Sequence, residues 1–292
     1  MRYVIIGGSA AAIGCIEGIR SVDKTGEIIL ITGETEWNYS RPLISYLLEG
    51  KTTRDKMWCR PDSFFTRNGV TVKAGVLATT LDAGDRTVRL STGERLAYDR
   101  LLAATGSRPF VPPIPGVDGP RVHVSETLLD VRTLPERLVI IGGGYIGMEF
   151  ASMYANFGSQ VTVVQNEDAF LPREDAEIAA AVLDSVEGRG IRVIRGAGVR
   201  RIDDEADQAV VTVEISGAEE RLPADAVLVA TGRRPNVDGL NLEAAGAELT
   251  ERGAVRTNEH LRTTAPNIWA LGDVAGGLQF TYISLDDSRI VK

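Results

Sequence analysis

Fourteen residues near the middle of the chain, LVIIGGGYIGMEFA from Leu138 to Ala151, constrain the fold more than any other stretch. A run of β-formers enters Gly142, Gly144 and Gly147 and passes into a small-residue helix. This is G-x-G-x-x-G between a strand and a helix, the context in which the motif carries meaning. Gly142 permits the tight turn, Gly144 lets backbone approach a pyrophosphate, and Gly147 lets helix pack closely on strand. The N–H groups of the first helical turn then face the phosphates. An ordinary tight strand-to-helix turn is the alternative, and a second copy elsewhere in the chain argues against it.

That second copy stands at the N-terminus. Arg2–Gly8 reads as a buried strand and Ser9–Arg20 as a helix, joined by Gly7-x-Ser9-x-x-Ala12, in which small residues replace two glycines. Glu27–Thr32 is a second buried strand. Glu34, 22 residues beyond Ala12, stands where an acidic residue accepts the ribose hydroxyls of an adenosine. A solvated loop carboxylate is the other reading. Trp37–Gly50 is a loop entering an apolar helix, with Pro42 in its first turn. Val70–Asp99 alternates and is expected to form an antiparallel meander. Arg100–Gly106 is a buried strand, and the Pro- and Gly-rich SRPFVPPIPGVDGP after it is a linker.

Beyond the central motif the same order returns. Gln160–Gln165 is a strand, and Glu174–Gly190 is a helix with apolar Ile178, Val182, Leu183 and Val186 at helical spacing. The alternating VVTVEIS and the strand Ala226–Gly232 follow. Gly7 and Gly142 lie 135 residues apart, and Thr105 and Thr231 lie 126 apart. The repeated order implies a duplication. Ala254–Arg256 and Ile268–Ala270 are short strands before LGDVAGG.

A length of 292 residues accommodates two domains. A net charge of −8 argues against a nucleic-acid surface, which needs clustered Lys and Arg. No apolar run approaches the length of a membrane span, and MRYVIIGG enters a strand without a signal-peptide pattern. Cys15 and Cys59 are the only cysteines and form no C-x-x-C, so no disulfide framework or metal-ligand set is expected and the cytoplasm is the expected compartment.

Taken together, five segments resemble the FAD-dependent pyridine nucleotide–disulfide oxidoreductase superfamily. They are VIIGGSAAAIG (Val4–Gly14), AATGSRPFVPPIPG (Ala103–Gly116), IIGGGYIGMEFA (Ile140–Ala151), VLVATGRRPN (Val227–Asn236) and TTAPNIWALGDVA (Thr263–Ala275). The resemblance implies an α/β chain of two Rossmann-like three-layer domains, the NAD domain inserted in the FAD domain. It divides the chain into residues 1–115 for FAD, 116–240 for NAD(P)H and 241–292 returning to FAD. It implies that Gly7, Ser9 and Ala12 face the FAD pyrophosphate and Glu34 its ribose. Thr105 and Gly106 would approach the isoalloxazine, and Gly272 and Asp273 the ribityl or phosphate region. Arg41 and Pro42 are carried over to the flavin side, and Gly142, Gly144, Gly147 and Gly232 to the nicotinamide dinucleotide. The position of Tyr145 covers the flavin and that of Glu149 points toward the nicotinamide; a packed aromatic and an exposed helix carboxylate are the plainer readings. Gln165, ending the second strand of the second half, decides between NADH and NADPH. It brings no charge, and Glu167 and Asp168 after it would repel a 2′-phosphate, so NADH is expected, with NADPH possible.

The chain departs from the disulfide reductases of this superfamily. Their single redox cysteine would fall near Pro42, and no cysteine lies between Asn38 and Tyr46. The loop Tyr39–Gly50 resembles instead the reductases that pass electrons to rubredoxin, ferredoxin or a nitrite-reductase centre, although a Lys common near Tyr46 there is missing. The resemblance places a C-terminal interface domain after Phe280–Lys292, whose Phe280, Ile283 and Leu285 would otherwise lack cover. Either the chain is shortened or another chain, a homodimer mate or partner subunit, supplies that surface. His123 and His260 match no catalytic position. The implied reaction is hydride transfer from NADH to FAD, with electrons leaving to an acceptor protein or small molecule. An NADH oxidase or a disulfide or quinone reductase is an alternative, as is a non-catalytic flavin-binding subunit.

Overall fold

A computed structural model describes residues 1–291 and divides the chain into two compact units, Met1–Arg108 with Arg234–Lys292, and Pro109–Arg233. Each is built on a five-stranded parallel sheet. In the first unit the strand order is Ile268–Ala270, Arg100–Ala103, Arg2–Ile6, Glu27–Thr32, Val70–Ala74. In the second it is Val122–His123, Ala226–Val229, Arg137–Ile141, Gln160–Val164, Arg192–Ile194, the same arrangement strand for strand.

The central strands are buried on both faces, which is why they read as unbroken apolar runs. Side chains alternate across a strand. Ile5, Ile28, Leu30 and Leu102 therefore pack with the helix Ala10–Val22 on one face of the first sheet. Val4, Ile6, Ile29 and Ile31 meet Leu81, Val88, Leu90 and Leu96 on the other. Those last residues belong to an antiparallel meander, Ala78–Asp82, Thr87–Leu90 and Arg95–Ala97. The second unit repeats the three layers. Leu138, Ile140, Val161 and Val163 face the helices Tyr145–Phe157 and Ala176–Glu187. Val139, Ile141, Val164 and Val227 face the meander Ala197–Asp204, Ala209–Ile215 and Ala218–Ala224.

Two sequence expectations are corrected. Val70–Ala74 is the parallel edge strand of the first sheet and not part of the meander, because Gly75, at φ +70°, turns the chain between them. Residues Ala254–Arg256 form no strand; Val255 makes an isolated bridge to Leu249. On Ala176–Glu187 the buried positions are Ala179 and Val186, while Ile178 is 53% exposed. After Trp37 the loop enters, as expected, a short helix: the 3₁₀ turn Arg41–Leu43 leads into the α-helix Ile44–Leu48, and neither buries any of its residues. A last helix, Thr281–Ile290, packs on Ala10–Val22 and leaves Phe280 and Leu285 exposed and Ile283 half-buried. Among the described residues no helix is long and apolar enough to cross a membrane.

Candidate dinucleotide-binding sites

In each sheet the chain order reverses beside one strand, Arg2–Ile6 in the first unit and Arg137–Ile141 in the second, and ligands of open α/β sheets lie outside the strand C-termini at such a point. In the first unit that point is the turn after Ile6. Gly7 adopts φ +122°, and a Cβ there would lie 2.0 Å from the backbone oxygen of Ala104, so no other residue fits. Ser9 caps the helix Ala10–Val22 without a side-chain hydrogen bond, and no acidic residue stands in the first turn. The first intrahelical bond runs from Ile13 N to Ser9 O, leaving the amides of the turn before it for an outside acceptor. An uncapped, carboxylate-free helix start opposite a glycine turn fits a diphosphate.

The second unit reproduces this turn contact by contact. Gly142 has φ +114°, and a Cβ on it would lie 2.4 Å from Ala230 O. A Cβ on Gly147 would lie 2.0 Å from Gly142 O, so helix and turn touch backbone to backbone. Gly144 caps Tyr145–Phe157, again without a side-chain bond or a first-turn acid, and faces open space. The amides of Gly7 and Gly142 donate to Ile31 O and Val164 O, each at 2.8 Å.

This equivalence extends to the loop after the second strand. Thr32 O accepts from Val76 N at 3.0 Å, and Gln165 O from Ala197 N at 2.9 Å. Glu34 O accepts from Gly75 N, and Glu167 O from Gly196 N, both at 3.2 Å. Gln165 is thus the counterpart of Thr32, and Glu167 that of Glu34. The Gln165 side chain is 8% exposed and donates to the carbonyls of Glu167 and Ala169 at 2.9 and 2.5 Å, so its amide is spent shaping the loop. The sequence reading gave Glu167 only the part of repelling a 2′-phosphate; its equivalence to Glu34 becomes visible once the halves are aligned. Glu34 meets Arg41 Nη2 at 2.5 Å and Tyr39 Oη at 3.4 Å. A cleft of about 410 Å³ is lined by Asp168, the residue after Glu167, with Arg192, Val193, Ile194 and Arg195.

The "ATG" turns anchor the segments that follow or return to them. Thr105 Oγ1 donates to Asn236 O at 2.6 Å and Asn236 N to Gly106 O at 2.9 Å. Thr231 Oγ1 donates to Phe110 O at 2.8 Å and Phe110 N to Gly232 O at 2.9 Å. In the first unit alone, a short turn Gly272–Ala275 follows the outer strand, and Ser107 Oγ donates to Asp273 Oδ2 at 2.5 Å. Pro42 sits in the exposed turn Arg41–Leu43.

The family model for pyridine nucleotide-disulphide oxidoreductases matches residues 1–287. The chain belongs to that family. Its members are NAD(P)H-dependent flavoprotein oxidoreductases, so FAD and a nicotinamide dinucleotide are the cofactors of the family. The chain is 48% identical over 195 residues, 66% of its length, to the probable pyridine nucleotide-disulfide oxidoreductase RclA of Escherichia coli, and covers 43% of that protein. It is 32% identical over 276 residues, 92% of its length, to the NADH-dependent phenylglyoxylate dehydrogenase subunit epsilon of Aromatoleum evansii, covering 64% of that subunit. A covalent putidaredoxin reductase–putidaredoxin complex matches over 99% of this chain and 74% of the solved one, at a TM-score of 0.88 and 26% identity. The chain thus spans less than two thirds of the length of these two curated relatives.

Cys15 is buried and Cys59 half-buried, both are free, and burial raises the pKa of both thiols. Neither is a ready thiolate. Tyr145, 40% exposed, donates its hydroxyl to the Glu174 carboxylate. Glu149 lies one turn further along the same helix face. The residue is exposed overall, and desolvation raises the pKa of its carboxyl. Among the described residues no group of three or more His, Cys, Asp or Glu could hold a metal ion.

Proposed function

We propose that this chain is the dinucleotide-handling part of an NADH-dependent flavoprotein reductase whose electrons leave to a protein-borne redox centre. The observation that carries the reading is the twofold occurrence of one turn: glycine against a facing backbone oxygen, then an uncapped helix start, then a glutamate two residues after the matched pair Thr32 and Gln165. In this reading Gly7, Ser9 and Ala12 hold the FAD diphosphate, Glu34 its adenosine ribose and Asp273 its ribityl side. Thr105, Gly106, Arg41 and Pro42 frame the flavin. Gly142, Gly144 and Gly147 hold the NADH diphosphate, with Gly232 closing that turn and Glu167, on a loop braced by Gln165, accepting the ribose hydroxyls. Tyr145 and Glu149 lie toward the nicotinamide end.

When bound, FAD supplies the hydride acceptor and the electron donor, and the chain supplies binding, orientation and exclusion of water. A carboxylate at Glu167 disfavours a 2′-phosphate by like charge, which selects NADH. A protein acceptor is supported by the missing cysteine between Asn38 and Tyr46 and by two thiols held in the protonated form. It is supported also by relatives that are a subunit of a larger dehydrogenase and a reductase seized on its redox partner.

The test is an anaerobic titration of the FAD-loaded protein. NADH should bleach the flavin absorbance faster than equal NADPH, and reoxidation by air should be slow beside reoxidation by a ferredoxin- or rubredoxin-type acceptor. Bound FAD that NADH does not bleach, or a small disulfide that reoxidises the protein faster than such an acceptor, refutes the reading. Glu167→Ala should weaken NADH about tenfold, the loss of a charged hydrogen-bond acceptor, and improve NADPH relative to NADH because Arg195 lines a cleft with Asp168, the residue after Glu167.

A further inference from the structure

The last helix, Thr281–Ile290, crosses over the turn that follows the outer strand of the first unit. The Gly272 amide donates to Asp287 Oδ2 at 2.7 Å. Gly272 itself adopts φ +71°, and a Cβ on it would lie 2.9 Å from Ser284 Oγ and 3.7 Å from the Ala11 side chain. One turn along, a Cβ on Gly14 would lie 2.0 Å from Ser288 Oγ. The last helix therefore rests on two glycines at once, one in the Gly272–Ala275 turn and one in the helix whose N-terminus follows Gly7. Asp287 is half-buried, and desolvation raises its pKa despite the bond from Gly272. A carboxylate partly withdrawn from water to accept from one backbone amide costs desolvation, which the hold on that amide offsets.

We infer that Asp287 is a positioning residue for flavin binding: from a helix outside the dinucleotide fold it fixes the Gly272 peptide, and so aims Asp273, which Ser107 holds from the other side. This rests on the reading that the first unit holds FAD. The geometry supports a clasp of three parts. Ser107 donates to Asp273, Asp287 accepts from Gly272, and the Gly14–Ser288 contact sets the height of the helix that carries Asp287. Asparagine at position 287 keeps an oxygen for the Gly272 amide, whereas alanine removes it.

The experiment measures FAD binding to apoprotein by quenching of flavin fluorescence, with thermal melting of each apoprotein alongside. Asp287→Ala should raise the FAD dissociation constant about tenfold or more, the loss of one charge-assisted hydrogen bond. Asp287→Asn should stay within about threefold of the parent, with the visible spectrum of the bound flavin unchanged. Should Asp287→Ala not fold, a second pair carries the test. Gly14→Ala, which lifts the last helix, should weaken FAD, and Gly14→Ala with Ser288→Gly should restore it. Equal FAD affinity in Asp287→Ala and parent overturns the inference alone, as does an Asn variant as impaired as the Ala one. A parent protein that takes up no FAD overturns the flavin reading and this inference with it.

Discussion

Gly144 and Gly147 stand three residues apart in the same motif, yet the structure predicts opposite consequences for replacing them. At Gly144 the backbone is extended, φ −79° and ψ −175°, and a new Cβ meets nothing within 4 Å. Gly144→Val should therefore leave the apoprotein within about 0.5 kcal/mol of the parent. The same side chain fills the space through which a diphosphate must approach the first-turn amides. Loss of two charge-assisted hydrogen bonds at about 1.5 kcal/mol each amounts to about a hundredfold in dissociation constant. At Gly147 the Cβ would sit 2.0 Å from Gly142 O, a backbone atom that side-chain motion cannot clear. The helix must retreat by about 1 Å, at an overpacking cost of about 1–3 kcal/mol. Gly147→Ala should thus lower the apo melting temperature by several degrees and weaken NADH only as far as the helix start has moved. Urea unfolding and NADH fluorescence titration on both variants separate the two effects. A Gly144→Val protein that binds NADH within threefold of the parent would refute the assignment of that turn to a diphosphate.

Other outcomes follow from the same geometry. Desolvation holds the Glu149 carboxyl above its ordinary pKa. A carboxyl raised in the folded state contributes stability below its unfolded pKa of about 4.3 and loses it as pH rises through the folded value. Glu149→Gln should accordingly gain stability relative to the parent between about pH 4 and neutrality, read from urea midpoints at each pH, and a flat difference would count against the shift. Cys15 should resist an aromatic disulfide reagent until the protein is denatured, while Cys59 reacts slowly. A Cys15→Ser/Cys59→Ser double variant should still be bleached by NADH, and loss of bleaching in a folded double variant would restore a redox role to one thiol. Arg41→Ala removes an exposed ion pair with Glu34 and should cost no more than about 1 kcal/mol of stability, measured by denaturant melts.

The parallel strands were legible because burial on both faces writes them as apolar runs ending in glycine, and the turns because each glycine answers to a facing backbone oxygen. Legibility failed where burial is partial. Val70–Ala74 lies at the sheet edge with no residue fully buried, so its pattern imitates an antiparallel strand. Ile178 stands at helical spacing with Val182 and Val186, yet it is exposed and the small Ala179 is the buried residue. Gln165 drew attention because it ends a strand, where a ribose acceptor is usually sought. Only the paired bonds Gly75 N to Glu34 O and Gly196 N to Glu167 O show that the matching carboxylate stands two residues later. The contact between Asp287 and Gly272 joins residues of two different elements, and no local pattern announces it.

The two halves are alike in their glycine turns, so the reason one would take the flavin must lie where they differ. They differ beyond the outer strand. In the second unit Val122–His123 runs into the short helix Ser125–Leu128, whose Val124 amide is bonded by the Thr127 hydroxyl at 3.1 Å, a self-contained cap. In the first unit Ile268–Ala270 runs into Gly272–Ala275, a turn that draws on Ser107 and Asp287 from elsewhere in the chain. A turn that needs two distant partners to hold one peptide and one carboxylate is set for a ligand that must stay in one orientation through many turnovers. A nicotinamide dinucleotide, which enters and leaves in each cycle, asks only for the glycine turn and the ribose carboxylate. By this argument, transplanting Ser125–Leu128 in place of Gly272–Ala275 should abolish tight FAD retention while leaving NADH binding by the second unit unchanged. Retention of FAD by such a chimera on gel filtration would show that the glycine turn alone suffices.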